Sequence, residues 1–301
     1  MRLDSAHRQR LDRLIFLGPA TLLLAMFYLG PVLVDLGLAF TDMGRNLQVS
    51  ELTADNFVRV VGDRRLVSIL STTLVYVLCT LAIFNVTYGL VLALLTAALP
   101  ERAGGFFRAV WLLPRMSPSV LYALLWTWVV APTDYGLLNQ ITTAIGLPKL
   151  DLKSDHAMLV IVLANGFVGA SFGMIIFTSA IRSIPEHLFH AARVDGAGGL
   201  SIVRHVTLPA MRWQLSFVTL YQALSLLVSF EYIWLITDGG PFYDTTVYAL
   251  YVYNRAFRDG QYAYGAALAL GMVAVGIATA MLLWRFFDMK ALLQRPRIEV
   301  S

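Results

Sequence analysis

Long apolar runs, separated by short segments rich in charge, make up most of this chain of 301 residues. About 20 helical residues cross a hydrocarbon core of about 30 Å, and six runs reach that length. The pattern therefore predicts an all-α membrane protein with both termini on one side. The predicted spans lie near 14–40, 68–98, 108–131, 156–182, 213–237 and 261–286, with prolines at 19, 31, 114 and 118 that favour tilts or kinks.

The composition agrees with a location in lipid. Apolar residues make up 58% of the chain and charged residues 14%, whereas charged residues make up roughly 25% of a soluble domain. The net charge of +4 is scattered, which argues against a nucleic-acid-binding surface. The single cysteine, Cys79, lies in an apolar run, so it forms no disulfide within the chain and is interpreted as a packing residue.

The lysines and arginines favour cytoplasmic termini. With that orientation, fourteen of the 23 cations lie in inner segments and eight in outer loops, as the positive-inside rule requires. The first apolar run has no small-residue cleavage pattern, so it is interpreted as a span rather than a removable signal. The organisation is then a cytoplasmic segment 1–13, one membrane domain 14–286 and a cytoplasmic tail 287–301.

One cytoplasmic segment, residues 183–209, has the features of a helical hairpin. Ser183 and Glu186 fit a capping box, which predicts a helix that starts at Ile184. Gly196 relieves left-handed strain at the end of this helix, so the helix is predicted to stop there.

A second helix is predicted over residues 200–206, ending before Leu208 and Pro209. Small residues between the two helices would let the backbone approach another surface closely, although a plain connecting loop is an alternative. His187 and His190 share a face, but no carboxylate or cysteine pair lies beside them, so no metal site is predicted.

The stretch HAARVDGAGGLSIVRHVTLP resembles the EAA loop of ATP-binding-cassette (ABC) importer permeases. His190 stands where the family usually has glutamate, and Val206 where it usually has isoleucine. The matching positions are Ala191, Ala192, Gly196, Leu208 and Pro209.

The resemblance extends over the chain and narrows to the carbohydrate branch, which includes the maltose-type and glycerol-phosphate-type permeases. The motifs that carry it are DYGLLNQ at 134–140, SIPEHLFHAARVDGA at 183–197, SFEYIWLITDGGP at 229–241 and the following TTVYALYVYNRAF. It implies a type I ABC importer permease fold and import of a sugar or sugar derivative. It also implies three kinds of protein partner: a cytoplasmic ATPase dimer, a second related permease and an external solute-binding protein.

In this family the hairpin is the coupling helix that docks on the ATPase. The chain has no GxxxxGK[ST] sequence, so ATP and Mg are expected on the partner, and this chain is expected to carry neither a cofactor nor an enzymatic activity. The docking residues implied are Glu186, His190, Ala191, Ala192, Asp195, Gly196, Ala197, Leu208 and Pro209.

Polar residues within the spans are candidates for the substrate pathway. Charge in lipid is costly, which singles out Asp35, Arg115 and Glu231, although snorkelling is an alternative for each. Gln222, Ser225 and Ser229 follow the spacing of one helix face, whereas Glu231 lies about 180° from Gln222 unless the helix is broken. Interhelical hydrogen bonding is the alternative for these groups. The predicted pathway residues are Gln222, Ser225, Ser229, Glu231, Asn165 and Tyr221.

A tight turn is predicted just outside the fifth span, because glycine and proline cannot continue the helix there. The resemblance implies that Gly239, Gly240 and Pro241 face the binding protein, and a turn without further role is the alternative. Two other functional classes are alternatives. A secondary transporter or channel would need internal symmetry that the sequence does not show, and an intramembrane enzyme would need motifs such as HExxH or GxSxG, which are absent.

Overall fold

In the computed structural model, the backbone is described for residues 5–286 and the side chains for residues 15–285. The predicted tail 287–301 and residues 1–4 of the N-terminal segment lie outside the described residues. Helices make up the described fold, and an isolated bridge joins Thr41 and Leu52. The helices are α1 (Ser5–Leu24), α2 (Gly30–Ala39), α3 (Asp55–Gly62), α4 (Arg65–Cys79), α5 (Gly89–Ala98), α6 (Glu101–Met116), α7 (Ser119–Val129), α8 (Leu137–Ala144), α9 (Leu152–Asp155), α10 (Ala157–Arg182), α11 (Glu186–Val194), α12 (Gly199–Ile202), α13 (Leu208–Ala210), α14 (Arg212–Val228), α15 (Glu231–Thr237), α16 (Tyr248–Tyr253) and α17 (Tyr262–Phe286). Four π-helical segments lie at Ala25–Leu29, Thr80–Tyr88, Val203–Thr207 and Asn254–Arg258.

Four helical stretches of the described chain are long and apolar enough to cross a membrane: Ile15–Ala39, Arg65–Ala98, Ala157–Arg182 and Tyr262–Arg285. A fifth crossing is available if α14 and α15, which are bent by 48° at a short break, form one broken span. The predicted span 108–131 is divided between α6 and α7. The structure therefore supports four or five crossings by length and composition, and a sixth stays a prediction.

The chain divides into two compact units. The first contains residues up to 64 together with 252–273, and its core packs Ala39 against Ala266 and Ala267. Within it, the buried Asn56 side chain donates to the carbonyl oxygens of Ala39 (3.1 Å) and Thr41 (2.7 Å). This bond satisfies carbonyl groups at the end of α2, where the intrahelical partners have run out.

The loop around α3 in this unit is held by polar contacts. The Arg59 guanidinium donates to Gln261 Oε1 at 2.9 Å and lies 4.4 Å from the centroid of the Tyr264 ring. The backbone amides of Ser50 and Glu51 donate to the Asp42 carboxylate and lower its pKa. The predicted outer loop after the first span is thus a folded element with its own short helix.

The second unit, residues 65–251 and from 274 onward, is built around α10. Two thirds of the most apolar window of this helix is buried inside the protein, as expected for the central helix of a bundle. At one end, Ala93, Phe177 and Met211 bring α5 and α10 together with the start of α14. At the other, Tyr122 and Ile236 bring α7 and α15 onto α10 through Val160, Ala164 and Val168.

A stripe of glycines on α10 permits the close approach of the π-helical segment Thr80–Tyr88. A Cβ on Gly166 would lie 2.3 Å from the Phe84 ring, and a Cβ on Gly173 would lie 2.3 Å from the carbonyl oxygen of Asn85. Neither distance leaves room for a methyl group. The small-residue stripe is therefore a packing feature, as its spacing predicts.

Candidate functional site

The segment 183–209 forms a helix, a turn and a second helix. The helix α11 ends at Val194, Asp195 follows as its C-cap, and Gly196 takes a φ of +78°. Left-handed backbone at this position is favourable for glycine and strained for most other residues. The predicted end of the first helix is confirmed.

The two other boundaries of the hairpin were predicted incorrectly. The capping box does not form: Ser183 donates its hydroxyl to the Ala180 carbonyl at 2.7 Å and closes α10, while α11 begins at Glu186 after Pro185. The second helix does not end before Leu208. The π-helical segment Val203–Thr207 precedes α13, and this wider turn lets the helix continue through Pro209 to Ala210.

The tip of the hairpin is exposed and partly apolar. Val194 is 87% exposed and Leu200 84%, and no residue of α11 is buried. A Cβ added at Gly196, Gly198 or Gly199 would meet nothing within 4 Å. The docking residues predicted on α11 and the turn lie on this surface, where Glu186, His190 and Asp195 are exposed and Ala192 and Ala197 half-buried. The other two, Leu208 and Pro209, lie in α13, away from the tip.

The base of the hairpin is fixed to the bundle. Ile184 is 8% exposed, Thr207 2% and Met211 1%. Met211 packs against Phe177 and Ala180 at the C-terminal end of α10. The tip therefore extends from a rigid base. The exposed apolar side chains of the tip take no part in the packing of that base.

Three of the predicted pathway residues, Gln222, Asn165 and Ser229, take part in interhelical hydrogen bonds. Gln222 is buried and donates to the Gly169 carbonyl at 3.0 Å. Asn165, also buried, donates to the Tyr76 hydroxyl and to Ser229 Oγ, the latter at 3.2 Å. The observed partners of Gln222 and Asn165 thus agree with the alternative of interhelical hydrogen bonding. These bonds join α14 and α4 to α10.

Two helix breaks lie side by side in this unit. Between α14 and α15, Ser229 is extended (φ −79°, ψ 121°) and Phe230 follows as the N-cap. Between α6 and α7, Ser117 and Pro118 are both extended. Irregular backbone at membrane depth is tolerated where it is buried in protein or lines a polar cavity.

A hydrogen bond joins the two breaks. Ser119, the first residue of α7, donates its hydroxyl to the carboxylate of Glu231, the first residue of α15. The Glu231 side chain is otherwise exposed. The sequence placed Glu231 opposite Gln222 unless the helix is broken. The helix is broken between these two residues, so Glu231 is no longer held opposite Gln222.

An aromatic row continues from this region along α14. Tyr221 stacks on Phe172 of α10, with ring centroids 5.0 Å apart, and the Arg115 guanidinium lies 5.3 Å from the same Phe172 ring. Phe217 and Trp213 extend the row at successive centroid distances of 6.0 Å and 5.5 Å. Tyr221 and Ser225 are exposed on this helix, so both are available to a ligand.

The turn after α15 is rigid at its base. Gly239 takes a φ of +82°, and a Cβ there would lie 2.4 Å from Thr246 Oγ1. Thr246 Oγ1 donates to the Gly239 carbonyl at 3.0 Å and Thr245 Oγ1 to the Gly240 carbonyl at 2.7 Å. The next side chain after Pro241, Phe242, is 96% exposed.

The sequence matches a known family over residues 89–292: the binding-protein-dependent transport system inner membrane component. This match covers more than half of the chain. The chain belongs to this family. It is therefore the membrane component of a transport system, and ATP hydrolysis belongs to a separate subunit.

Curated relatives of this inner membrane component match it along most of their length. A probable ABC transporter permease of Pyrococcus horikoshii is 30% identical over 288 residues, which covers 91% of this chain and 95% of the relative. The sulfoquinovosyl glycerol transport system permease of Agrobacterium fabrum is 26% identical over 287 residues, covering 93% and 92%.

A solved structure shows the same fold. A bacterial ABC transporter involved in the import of the acidic polysaccharide alginate has a chain that matches with a TM-score of 0.82 at 20% identity, covering 96% of this chain and 100% of that one. This likeness establishes an ABC importer permease fold for the inner membrane component described here.

The sequence of this permease does not by itself pair Ser119 with Glu231 or bring Arg115 and Tyr221 to the Phe172 ring. The proline at 118 was noticed only as a source of kinks, although an extended residue before a proline is the usual way for a helix to end. The signal available in the sequence was a helix end at Pro118, close to the charged residue Arg115 within a predicted span.

Proposed function

We propose that this chain is the permease subunit of an importer for sugars or sugar derivatives, with the hairpin 183–209 as the element that docks on a cytoplasmic ATPase dimer. The observation that carries the proposal is the exposed tip, with Val194 and Leu200 outermost, on a base fixed by Met211. Apolar side chains left in water on a rigid support are typical of a surface completed by another protein.

His190 stands on this surface without the acid that is usual in the family. With His190 at this position, docking depends on apolar contacts and on the remaining charged side chains. Two of these, Glu186 and Asp195, lie on the same hairpin. Buried apolar anchors carry most of the energy of such interfaces. The loss of one acid is therefore compatible with docking.

The substrate pathway proposed here passes the two helix breaks. Glu231 offers a charged acceptor, Arg115 a charged donor and Tyr221 a flat apolar face, and these three groups suit hydroxyls and the C–H face of a pyranose. Ser225 adds a hydroxyl on α14. Gln222, Asn165 and Ser229 hold the helices that shape the pathway and are proposed to act through that packing.

The names of relatives support a sugar as the substrate class. They include a multiple sugar-binding transport system permease of Streptococcus mutans, a lactose permease of Rhizobium radiobacter and the sulfoquinovosyl glycerol permease of Agrobacterium fabrum. Neutral and anionic sugars both occur in this set. The opposite charges of Arg115 and Glu231 are compatible with either.

The complete assembly is proposed to contain six spans per permease, both termini in the cytoplasm of a bacterial inner membrane, and a second, related permease. ATP and Mg are bound by the ATPase. An external solute-binding protein would meet the turn formed by Gly239, Gly240 and Pro241. A structure of the alginate transporter in complex with its alginate-pentasaccharide-bound periplasmic protein supports such an arrangement by analogy of fold.

The docking proposal is tested by placing charge on the hairpin tip. Val194→Asp and Leu200→Asp should each reduce co-purification of the ATPase with a tagged permease by roughly tenfold, because a carboxylate must be desolvated in an apolar interface. Val61→Asp is the matched control, since Val61 is 90% exposed on the outer helix α3. Unchanged ATPase recovery with both hairpin variants would refute docking through this tip.

Uptake in membrane vesicles tests the transport class. We expect accumulation of a radiolabelled sugar to require both ATP and the binding protein, with the sugar chosen by a thermal-shift screen on that binding protein. Accumulation driven by an ion gradient without ATP would instead favour the secondary-transporter alternative.

A further inference from the structure

A carboxylate at the first cytoplasmic turn of the second unit holds two arginines from different helices. Glu101 is the first residue of α6, and Arg108 Nη2 donates to its Oε1 at 3.0 Å. Its other oxygen, Oε2, pairs with Nη1 of Arg182, the last residue of α10. One carboxylate thus joins the turn between α5 and α6 to the end of α10.

Helix dipoles favour every charge in this cluster. Glu101 lies at the positive N-terminal end of α6, whereas Arg182 lies at the negative C-terminal end of α10. Arg108 Nη1 also donates to the Thr96 carbonyl near the end of α5 at 3.4 Å. The two guanidinium groups therefore stabilise the ends of α5 and α10, and the carboxylate links them.

The turn itself is packed closely enough to act as a unit with α5. A Cβ on Gly104 would lie 2.3 Å from the Thr96 carbonyl oxygen, so the first turn of α6 rests directly on the last turn of α5. The Arg108 side chain is only 16% exposed. The Glu101 side chain is 69% exposed, so solvent reaches the pair from the carboxylate side, while the guanidinium is enclosed by the packed turn.

Arg182 lies next to the docking hairpin and so connects this cluster with it. Arg182 is followed by Ser183 and Ile184, and α11 of the docking hairpin begins at Glu186. At the far end of α6, about 21 Å away at 1.5 Å per residue, Arg115 lies over Phe172 beside the helix breaks. The helix α6 thus connects the base of the hairpin with the proposed substrate pathway.

We propose that Glu101 is a positioning residue that couples movement of the docking hairpin to α6, through its ion pairs with Arg182 and Arg108. When the ATPase displaces the hairpin, Arg182 moves with it and carries Glu101 and the N-terminus of α6. The displacement reaches Arg115 along the continuous helix α6. This coupling rests on the proposed function of the hairpin.

The test uses the complete transporter reconstituted in liposomes, with sugar uptake and ATP hydrolysis measured in parallel. Glu101→Gln keeps the size of the side chain and removes its charge. We expect about a fivefold or larger fall in sugar moved per ATP hydrolysed, with unchanged ATPase recovery and melting temperature. Glu101→Asp should restore part of the ratio, and Arg182→Gln should lower it like Glu101→Gln.

A double variant distinguishes coupling from independent effects. Glu101→Gln with Arg182→Gln should cost no more than either change alone, because both remove one link. Lys149→Gln is the matched control: it removes the ion pair of Lys149 with Asp134 on the opposite side of the proposed membrane and should leave the ratio unchanged.

Several results would overturn the coupling role of Glu101. They are a wild-type transport ratio in both single variants, losses that multiply in the double variant, and a loss explained by reduced assembly or stability. If the wild-type complex itself shows no ATP-dependent uptake, the proposed function fails first and the coupling role with it.

Discussion

At the scale of single residues, Glu231 is the group on which the proposed substrate pathway depends most. A carboxylate within a span is costly and is retained where it has partners or water. Here it accepts from Ser119 across two helix breaks and keeps an exposed side. One acceptor is therefore already oriented by the protein, and the remaining lone pairs are free to receive hydroxyl groups from a passing ligand.

Neutralising this residue should slow transport without affecting assembly. For Glu231→Gln we expect maximal uptake at saturating binding protein to fall by roughly tenfold, since hydrogen bonds to a charged group contribute about 1.5–3 kcal/mol. The measurement is the initial rate of sugar uptake into proteoliposomes, together with ATPase recovery. Asp134→Asn, on an exposed loop, serves as the control and should transport normally. Equal rates in the two variants would remove Glu231 from the pathway.

At the scale of elements, the packing of α10 on the π-helical segment depends on the absence of side chains. The carbonyl of Asn85 occupies the space that a Cβ at Gly173 would need. Since the obstacle is backbone, it cannot move aside as a flexible side chain would. The separation of these two elements is consequently set by glycine, and the bonds of Gln222 and Asn165 depend on that separation.

A methyl group at this contact should destabilise the protein. Gly173→Ala is expected to lower the free energy of unfolding by about 1–3 kcal/mol through overpacking, measured as a reduced melting temperature in detergent. The control is Gly276→Ala on α17, where a Cβ would meet nothing within 4 Å. There, the higher helix propensity of alanine should leave stability equal or slightly raised. Equal melting temperatures for both variants would contradict the packing argument.

At the scale of the whole molecule, the proposed assembly requires the hairpin to face the cytoplasm and the predicted outer loops to face the opposite side of the membrane. The ATPase must meet the hairpin in the cytoplasm, and the binding protein must meet the outer loops. The excess of cations in the predicted inner segments supports this orientation.

Cysteine labelling tests this orientation directly. The sequence contains one cysteine, so Cys79→Ala provides a background without thiols. In spheroplasts, a membrane-impermeant maleimide should label Val61→Cys and leave Val194→Cys unmodified until the membrane is permeabilised. Both positions are highly exposed, so differences in burial do not confound the comparison. Labelling of Val194→Cys in intact spheroplasts would contradict the proposed topology.

Local physical chemistry accounts for what the sequence determined by itself. The length of the apolar runs predicted helices that the structure contains at Arg65–Ala98, Ala157–Arg182 and Tyr262–Arg285. The end of α11 was predictable because Gly196 is favourable in left-handed backbone whatever surrounds it. The family could likewise be recognised, since its motifs are short and contiguous.

Only the tertiary structure decided which polar groups meet. Ser119 and Glu231 are 112 positions apart, and Asn165 and Tyr76 are 89 apart, so no local pattern pairs them. Glu101 and Arg182 lie at opposite ends of helices that only packing brings together. The propensity of each helix depends on its own residues, whereas the bonds that Gln222 and Asn165 make depend on how closely the glycines of α10 let the neighbouring helices approach.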